Sequence, residues 1–173
     1  ALKEDHVLSK LNNLTKSHKA FRNSKGAIKL DLPNVDVKLK NKKVDIQIQT
    51  ESESRKLIAE MMVIAGRVIA QYATENKISM PFLTQEVGSF SEEIMQNKEN
   101  LTATQAFQAT RCFKQSKITP KASLHAGLGL LCYVRVTSPI RRYLDLLTQQ
   151  QLVRFINNQT ILDDTKVKQR ITQ

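Results

Sequence analysis

Tryptophan is absent from the 173 residues, and phenylalanine and tyrosine bring the aromatic share to only 5%. That scarcity argues against a nucleic-acid site built from a long row of base-stacking rings. There are two cysteines, Cys112 and Cys132, too few for a disulfide framework and too far apart for a metal-binding or redox pair. No uninterrupted apolar run approaches the roughly 20 residues of a membrane span, so no membrane partner is expected. Ala1-Leu-Lys-Glu-Asp-His6 opens no apolar secretory core. A reducing cytoplasm is therefore the expected location. The triplets beginning at Asn13, Asn100 and Asn158 are read as chance matches to glycosylation acceptors.

Acidic residues are scarce as well: 16 Asp and Glu face 27 Lys and Arg, a net charge of +11. The excess is uneven, at +6 over residues 1–50, −3 over 51–110 and +8 over 111–173. A basic C-terminal third favours a polyanionic partner, with nucleic acid foremost and salt-sensitive affinity as its mark. A basic soluble protein without such a partner carries the same charge. With 40% hydrophobic and 25% charged residues the composition is that of a globular domain, or of part of one.

Val7, Leu11, Leu14, His18 and Phe21 recur at helical spacing and predict a helix over 4–23, ended by Gly26. His18 on that stripe is read as a packing residue, since no further metal ligands lie near it. Three runs at period two follow: Ile28, Leu30 and Leu32; Val35, Val37 and Leu39; Val44, Ile46 and Ile48. They predict a small antiparallel meander turning at Asn41. Thr50 and Glu53 form a capping box, and a proline-free helix should run from there to about Asn76. Its apolar stripe, from Leu57, Met61, Ile64, Val68 and Tyr72, is wide enough to predict a buried central helix. Glu60 on that helix must be paired, with Arg67 or a backbone N–H, or else serve a purpose. Short helices are expected over 91–96 and 102–115, then a loop over 116–124 leading to His125.

The densest chemistry lies in Tyr133-Val-Arg-Val-Thr-Ser-Pro-Ile-Arg-Arg-Tyr-Leu-Asp145. Ser138 suits an N-cap and Pro139 a first helical residue, so a helix is expected to start at Ser138. Its free N–H groups and dipole would favour an anion. Arg141 and Arg142 would lie in that first turn, and arginine's planar fork suits a phosphodiester. Tyr133 and Tyr143 fit base stacking or core packing. A capped surface helix with two solvated arginines explains the spacing too.

Thr137-Ser-Pro-Ile-Arg-Arg-Tyr143 with Asp145 after it, and His125-Ala-Gly-Leu128 and Tyr133 before it, closely resembles the signature of the ribonuclease II (RNB) family of exoribonucleases. Ser54-Arg-Lys-Leu-Ile-Ala-Glu-Met-Met-Val-Ile-Ala65, Gly26-Ala-Ile-Lys-Leu-Asp-Leu-Pro33 and Ile78-Ser-Met-Pro-Phe82 are similar to further segments of the same domain. The resemblance implies a mixed α/β fold and magnesium-dependent, processive 3′→5′ hydrolysis of single-stranded RNA to nucleoside 5′-monophosphates. It implies that Arg141 stabilises the scissile phosphate. With the motif's own chemistry it assigns Glu60, His125, Tyr133, Thr137, Ser138, Arg142 and Tyr143 to RNA contact.

Three departures accompany it: Leu30 stands where some relatives stack an aromatic, Gly66 where an asparagine is usual, and Gln149-Gln150 where His-Arg is frequent. The family's cluster of magnesium-binding aspartates has no counterpart, since Asp31, Asp36 and Asp45 are scattered and Asp163-Asp164 is an isolated pair. The expected organisation is thus the C-terminal half of an RNB catalytic domain. Its metal-binding half and its oligonucleotide-binding (OB) barrels would be supplied by further chain. Two readings stand: part of an exoribonuclease, or a non-catalytic RNA-binding or scaffold protein that keeps the signature.

Overall fold

A computed structural model describes residues 6–28, 34–40, 42–49, 52–90, 94 and 101–172. Helix α1, His6–Ser24, ends in a Schellman motif: Gly26 takes φ 93°, and the N–H groups of Gly26 and Ala27 donate to the carbonyls of Asn23 and Arg22. The face that α1 buries is centred on Thr15 and His18. The expected apolar stripe is only partly used, for Val7, Leu14 and Phe21 are exposed. His18 and Arg22 on the inner face pair with Glu60 of the second helix, and Thr15 donates to the Asn12 carbonyl within α1, which offsets their burial.

Strands β1, Asn34–Lys40, and β2, Lys43–Gln49, pair antiparallel with Val37 opposite Ile46 and Leu39 opposite Val44. The meander is a two-stranded hairpin among the described residues. Ile28 is buried outside any strand, while Leu30, Leu32 and the turn residue Asn41 lie outside the described residues. The period-two pattern sets the pairing without burying it: Val35, Val37, Leu39, Val44 and Ile46 all remain more than half exposed.

Helix α2, Glu53–Glu75, is capped by Ser52, whose Oγ accepts from the Arg55 N–H at 3.3 Å. Thr50, the expected cap, lies outside the described residues. The expectation of a well-buried central helix with a wide apolar stripe holds for one edge only. Leu57, Glu60, Gly66, Ala70 and Ala73 form the buried edge, Met61 is half-buried, and Ile58, Val68 and Tyr72 are exposed. Small residues at 66, 70 and 73 let neighbouring chain come close on one side only. By length and composition α2 would also suit a bilayer, but Glu60 on its buried edge is satisfied by α1.

Ile78 through Leu83 are buried and lead into β3, Phe82–Thr84, which pairs antiparallel with β4, Lys117–Thr119. Between them α3, Ala103–Cys112, carries a full capping box of Thr102 and Gln105. Of the helix expected over 91–96 only Ile94 is described, and it is buried. A 3₁₀ turn, Ala126–Leu128, follows His125. Helix α4, Tyr143–Ile156, and helix α5, Asp164–Thr172, close the chain. Helix α5 begins at the Asp163-Asp164 pair, where Asp163 Oδ1 caps the Lys166 N–H. The core gathers Ala70, Ala73, Ile78, Met80, Phe82 and Val134, with Leu152 and Phe155 of α4 packed against it. Buried Gln151 fastens α4 to both flanking segments by donating to the carbonyls of Ser79 and Leu162 and accepting from the Leu162 N–H, each at 2.9 Å.

Candidate functional site

The extended segment 133–137 alternates. Val134 and Val136 are buried, whereas Arg135 and Thr137 are exposed, as the period of a strand dictates. Its backbone is held from two sides: Leu83 N–H donates to the Tyr133 carbonyl at 2.9 Å, and Val134 N–H donates to the Gly66 carbonyl at 3.4 Å. Gly66 permits this crossing. A Cβ built there would stand 2.3 Å from the Val134 carbonyl oxygen and 2.4 Å from Tyr133 Cε2, closer than atoms can approach. Gly66 therefore seats the Tyr133 ring against α2.

The segment then enters a turn rather than a helix. Arg141 and Arg142 N–H groups both donate to the Ser138 carbonyl, at 3.3 and 3.1 Å, and the helix starts only at Tyr143, with Arg142 in the N-cap position. The expected start at Ser138 is displaced by Asp145. Fully buried in the first turn of α4, Asp145 accepts the Ser138 N–H on Oδ2 at 2.9 Å. This carboxylate occupies the positive end of the helix dipole that an outside anion would otherwise use. Arg141 and Arg142 are the cationic groups that this turn carries. Ser138 Oγ accepts from Arg141 Nη2 at 3.4 Å instead of capping the helix, and Gln149 Nε2 donates to the Val136 carbonyl at 2.8 Å. Gln149 thus holds segment and helix together.

The turn projects. Ile140 at its tip is wholly exposed, Arg141 and Tyr143 are exposed, and Ser138 and Arg142 are half-buried. Tyr133 is half-buried, and burial first of all pushes its phenol above the ordinary tyrosine range. His125 packs edge-on against Tyr133, with centroids 5.9 Å apart and planes at 82°. Burial holds the imidazole below its ordinary value, and Arg135 adds to the effect. His125 is consequently neutral at pH 7, and its contact is with Tyr133 rather than with Arg141 or Arg142.

Glu60 is paired, but not with Arg67. It accepts Arg22 Nε at 2.8 Å and Nη2 at 2.6 Å, and His18 Nδ1 lies 2.6 Å from Oε1. Burial opposes its ionisation, yet these two partners hold the carboxyl below the usual range. Arg67 stacks on Phe21 at 4.4 Å. Arg22 also donates to the Leu128 carbonyl at 3.2 Å, linking α1 to the turn after His125. Beside this cluster a cavity of about 440 Å³ between α1 and α2 is lined by Lys16, Lys19, Arg22 and Lys56 together with Glu53 and Glu60.

The structure therefore brings Tyr133, His125, Ser138, Arg141, Arg142 and Asp145 into one region and makes Glu60 the centre of a buried ion cluster. Sequence reasoning missed Arg22 and His18 as the partners of Glu60, and it missed Arg135. The only signal for Arg135 is its place two residues after Tyr133 in a valine-alternating segment. Among the described residues no three His, Cys, Asp or Glu side chains converge to hold a metal ion, so these residues do not fit a magnesium site.

The family model of the RNB domain matches residues 2–158. An uncharacterized ribonuclease of Synechocystis sp. is 33% identical over 156 residues, which cover 87% of this chain and 23% of that protein. The crystal structure of the Dss1 exoribonuclease of Candida glabrata superposes with a TM-score of 0.82 at 21% identity, over 99% of this chain and 24% of that one. Mycoplasma genitalium RNase R, solved with ribose-methylated single-stranded RNA, superposes at 0.77 and 20% identity, over 95% and 31%. The chain thus spans between a fifth and a third of the length of these proteins.

Proposed function

The chain belongs to the RNB domain family of ribonucleases, and we propose that it forms the phosphate-stabilising part of a processive, hydrolytic exoribonuclease. Its substrate is single-stranded RNA, taken from the 3′ end and released as nucleoside 5′-monophosphates. The observation that carries this reading is the turn over 138–142, pinned by Asp145 at one end and projecting Arg141 from the other. A guanidinium presented from a fixed backbone is preorganised for charge that grows on a reacting phosphate. Magnesium, which the family implies, would need carboxylates beyond those described. The protein acts in the cytoplasm, in keeping with its two free thiols.

A second reading is an RNA-binding protein that retains the turn without cleavage, since among the described residues the turn is accompanied by no carboxylate cluster. One experiment separates the two. A uniformly labelled single-stranded RNA is incubated with magnesium and the longest protein encoded around this chain, with this chain alone in parallel. The exoribonuclease reading expects mononucleotide release by the longer protein and none by the chain alone. Tight binding without release by the longer protein supports the second reading.

A further inference from the structure

A second cavity, of about 670 Å³, opens where the end of α1, the middle of α2 and the chain from Ala122 to Cys132 meet. It shares no lining residue with the cavity beside Glu60 or with the turn over 138–142, so the RNA reading gives it no role. Its apolar lining includes Leu124, Leu130 and Leu131; Leu130 is fully buried, whereas Leu131 is 84% exposed. The cations are gathered at one end. Arg67 Cζ lies 4.4 Å and Lys25 Nζ 6.0 Å from the centroid of the Phe21 ring, which lines the cavity with them. Among the described residues neither cation has a carboxylate partner. Two like charges held at one ring repel each other. The acidic residue of the lining, Glu75, accepts from Gln71 Nε2 at 2.9 Å. From Arg67 to Glu75 is about two turns of α2, roughly 12 Å along its axis, so the cavity is cationic at one end and anionic at the other.

We propose that this cavity binds a small amphiphilic carboxylate, its head on Lys25 and Arg67 and its apolar chain along Leu124, Leu130 and Leu131. A concave site that is mainly apolar with a few polar groups at one end is the ordinary form of a small-molecule pocket, and the volume falls within the roughly 300–1,000 Å³ of such pockets. The guanidinium fork can take both carboxylate oxygens while the ammonium adds a point charge. A bound anion would offset the repulsion between the two cations, and Glu75 would turn the head group away from the other end. The site carries its own reporter. Cys132 lines the cavity with a half-buried free thiol, and Cys112, also free and half-buried, does not line it.

The test is protection of Cys132 in the longest protein that carries this chain. The protein is treated with dithiodipyridine, a neutral thiol reagent, and modification of each cysteine is followed by peptide mass spectrometry. Decanoate, kept below its micellar concentration, should slow modification of Cys132 saturably and leave Cys112 unchanged, while decanol and decyltrimethylammonium should protect far less. Arg67→Ala and Lys25→Ala should each raise the half-protecting decanoate concentration about tenfold, as expected for one lost charge-assisted contact. Lys166→Ala, on the exposed side of α5, should leave it unchanged. Combining Lys25→Glu with Arg67→Glu should abolish protection by decanoate and create protection by decyltrimethylammonium, a gain that an unfolded chain cannot show. The proposal is overturned if decanoate gives no protection, if decanol protects equally, if Cys112 is protected alike, or if the two alanine variants behave as the unaltered protein. A Cys132 that the reagent cannot reach in the folded protein overturns it too, since the cavity would then be filled. No RNA enters the assay, so the ribonuclease reading stands or falls separately.

Discussion

Arg22 and Glu60, one on each of two helices, meet fork to fork: Nε reaches Oε1 at 2.8 Å and Nη2 reaches Oε2 at 2.6 Å, with both side chains about nine-tenths buried. His18 closes the cluster at 2.6 Å. A carboxylate on the buried edge of α2 is thereby satisfied three times over. Because Arg22 also holds the Leu128 carbonyl, the cluster fixes the 3₁₀ turn that follows His125, the residue that packs edge-on against Tyr133.

Removing the carboxylate should therefore be costly. Glu60→Gln is expected to lower stability at pH 7 by about 3 kcal/mol, because it strands a buried guanidinium. The pH dependence has a definite sign. The folded Glu60 lies below its ordinary 4.5, so its contribution is complete above pH 4.5 and is lost as pH falls through the folded value. Denaturant midpoints of the unaltered chain and of Glu60→Gln should consequently converge on acidification below 4.5. A gap that stays constant to pH 3 would contradict the assignment.

Gly66→Ala sets two effects against each other. Alanine improves helix propensity by about 1 kcal/mol, but its Cβ would collide with the Val134 carbonyl and the Tyr133 ring, 2.3 and 2.4 Å away. Backbone cannot yield as a flexible side chain does. The clash should win by about 2 kcal/mol of net destabilisation. Thermal melts give the sign, and the Tyr133 ring resonances should shift with it; a stabilised variant with unmoved resonances would show that the crossing is looser than described.

His125 provides a pH test in a different window. Its folded value lies below 6.5, so the unfolded chain takes up the proton first. The resulting penalty is absent above pH 6.5 and grows as pH falls through that value. Histidine-detected NMR should find the His125 midpoint below those of ordinary histidines, and His125→Gln should flatten the stability profile between pH 7 and 5. A midpoint at or above 6.5 would mean that the ring is solvated or paired with a carboxylate.

What the sequence disclosed follows physical range. Gly26 ended α1 as a local αL signal should, alternation gave the pairing of β1 with β2, and an unbroken apolar periodicity gave the length of α2. The motif 137–143 was legible as a unit, since its meaning lies in adjacent residues. The start of α4 was not, because Asp145 claims the Ser138 N–H from seven residues on. Nor were the partners of Glu60, which lie 38 and 42 residues away. Periodicity also says that a stripe is apolar without saying that it is covered: Val35, Leu39, Val68 and Leu14 remain exposed.

The catalytic assignment is tested at Arg141, in the longest protein that carries this chain. Its guanidinium is exposed, tethered among the described residues to Ser138 Oγ at 3.4 Å, and mounted on a turn fixed at its base. RNA affinity is shared among many phosphates, whereas one guanidinium aimed at the reacting phosphate acts on charge that grows in the transition state. Arg141→Ala should therefore reduce the saturated single-turnover rate about a hundredfold, on the order of 3 kcal/mol in the barrier, while changing affinity much less. Arg141→Lys should rescue little, because an ammonium cannot reproduce two parallel donors. Arg142, half-buried at the N-cap of α4, should show the opposite balance, with affinity falling more than rate. The measurements are single-turnover cleavage and equilibrium binding on the same preparations. If Arg141→Ala weakened binding by the factor that it slowed cleavage at low RNA, and left the saturated rate intact, Arg141 would be a positioning residue.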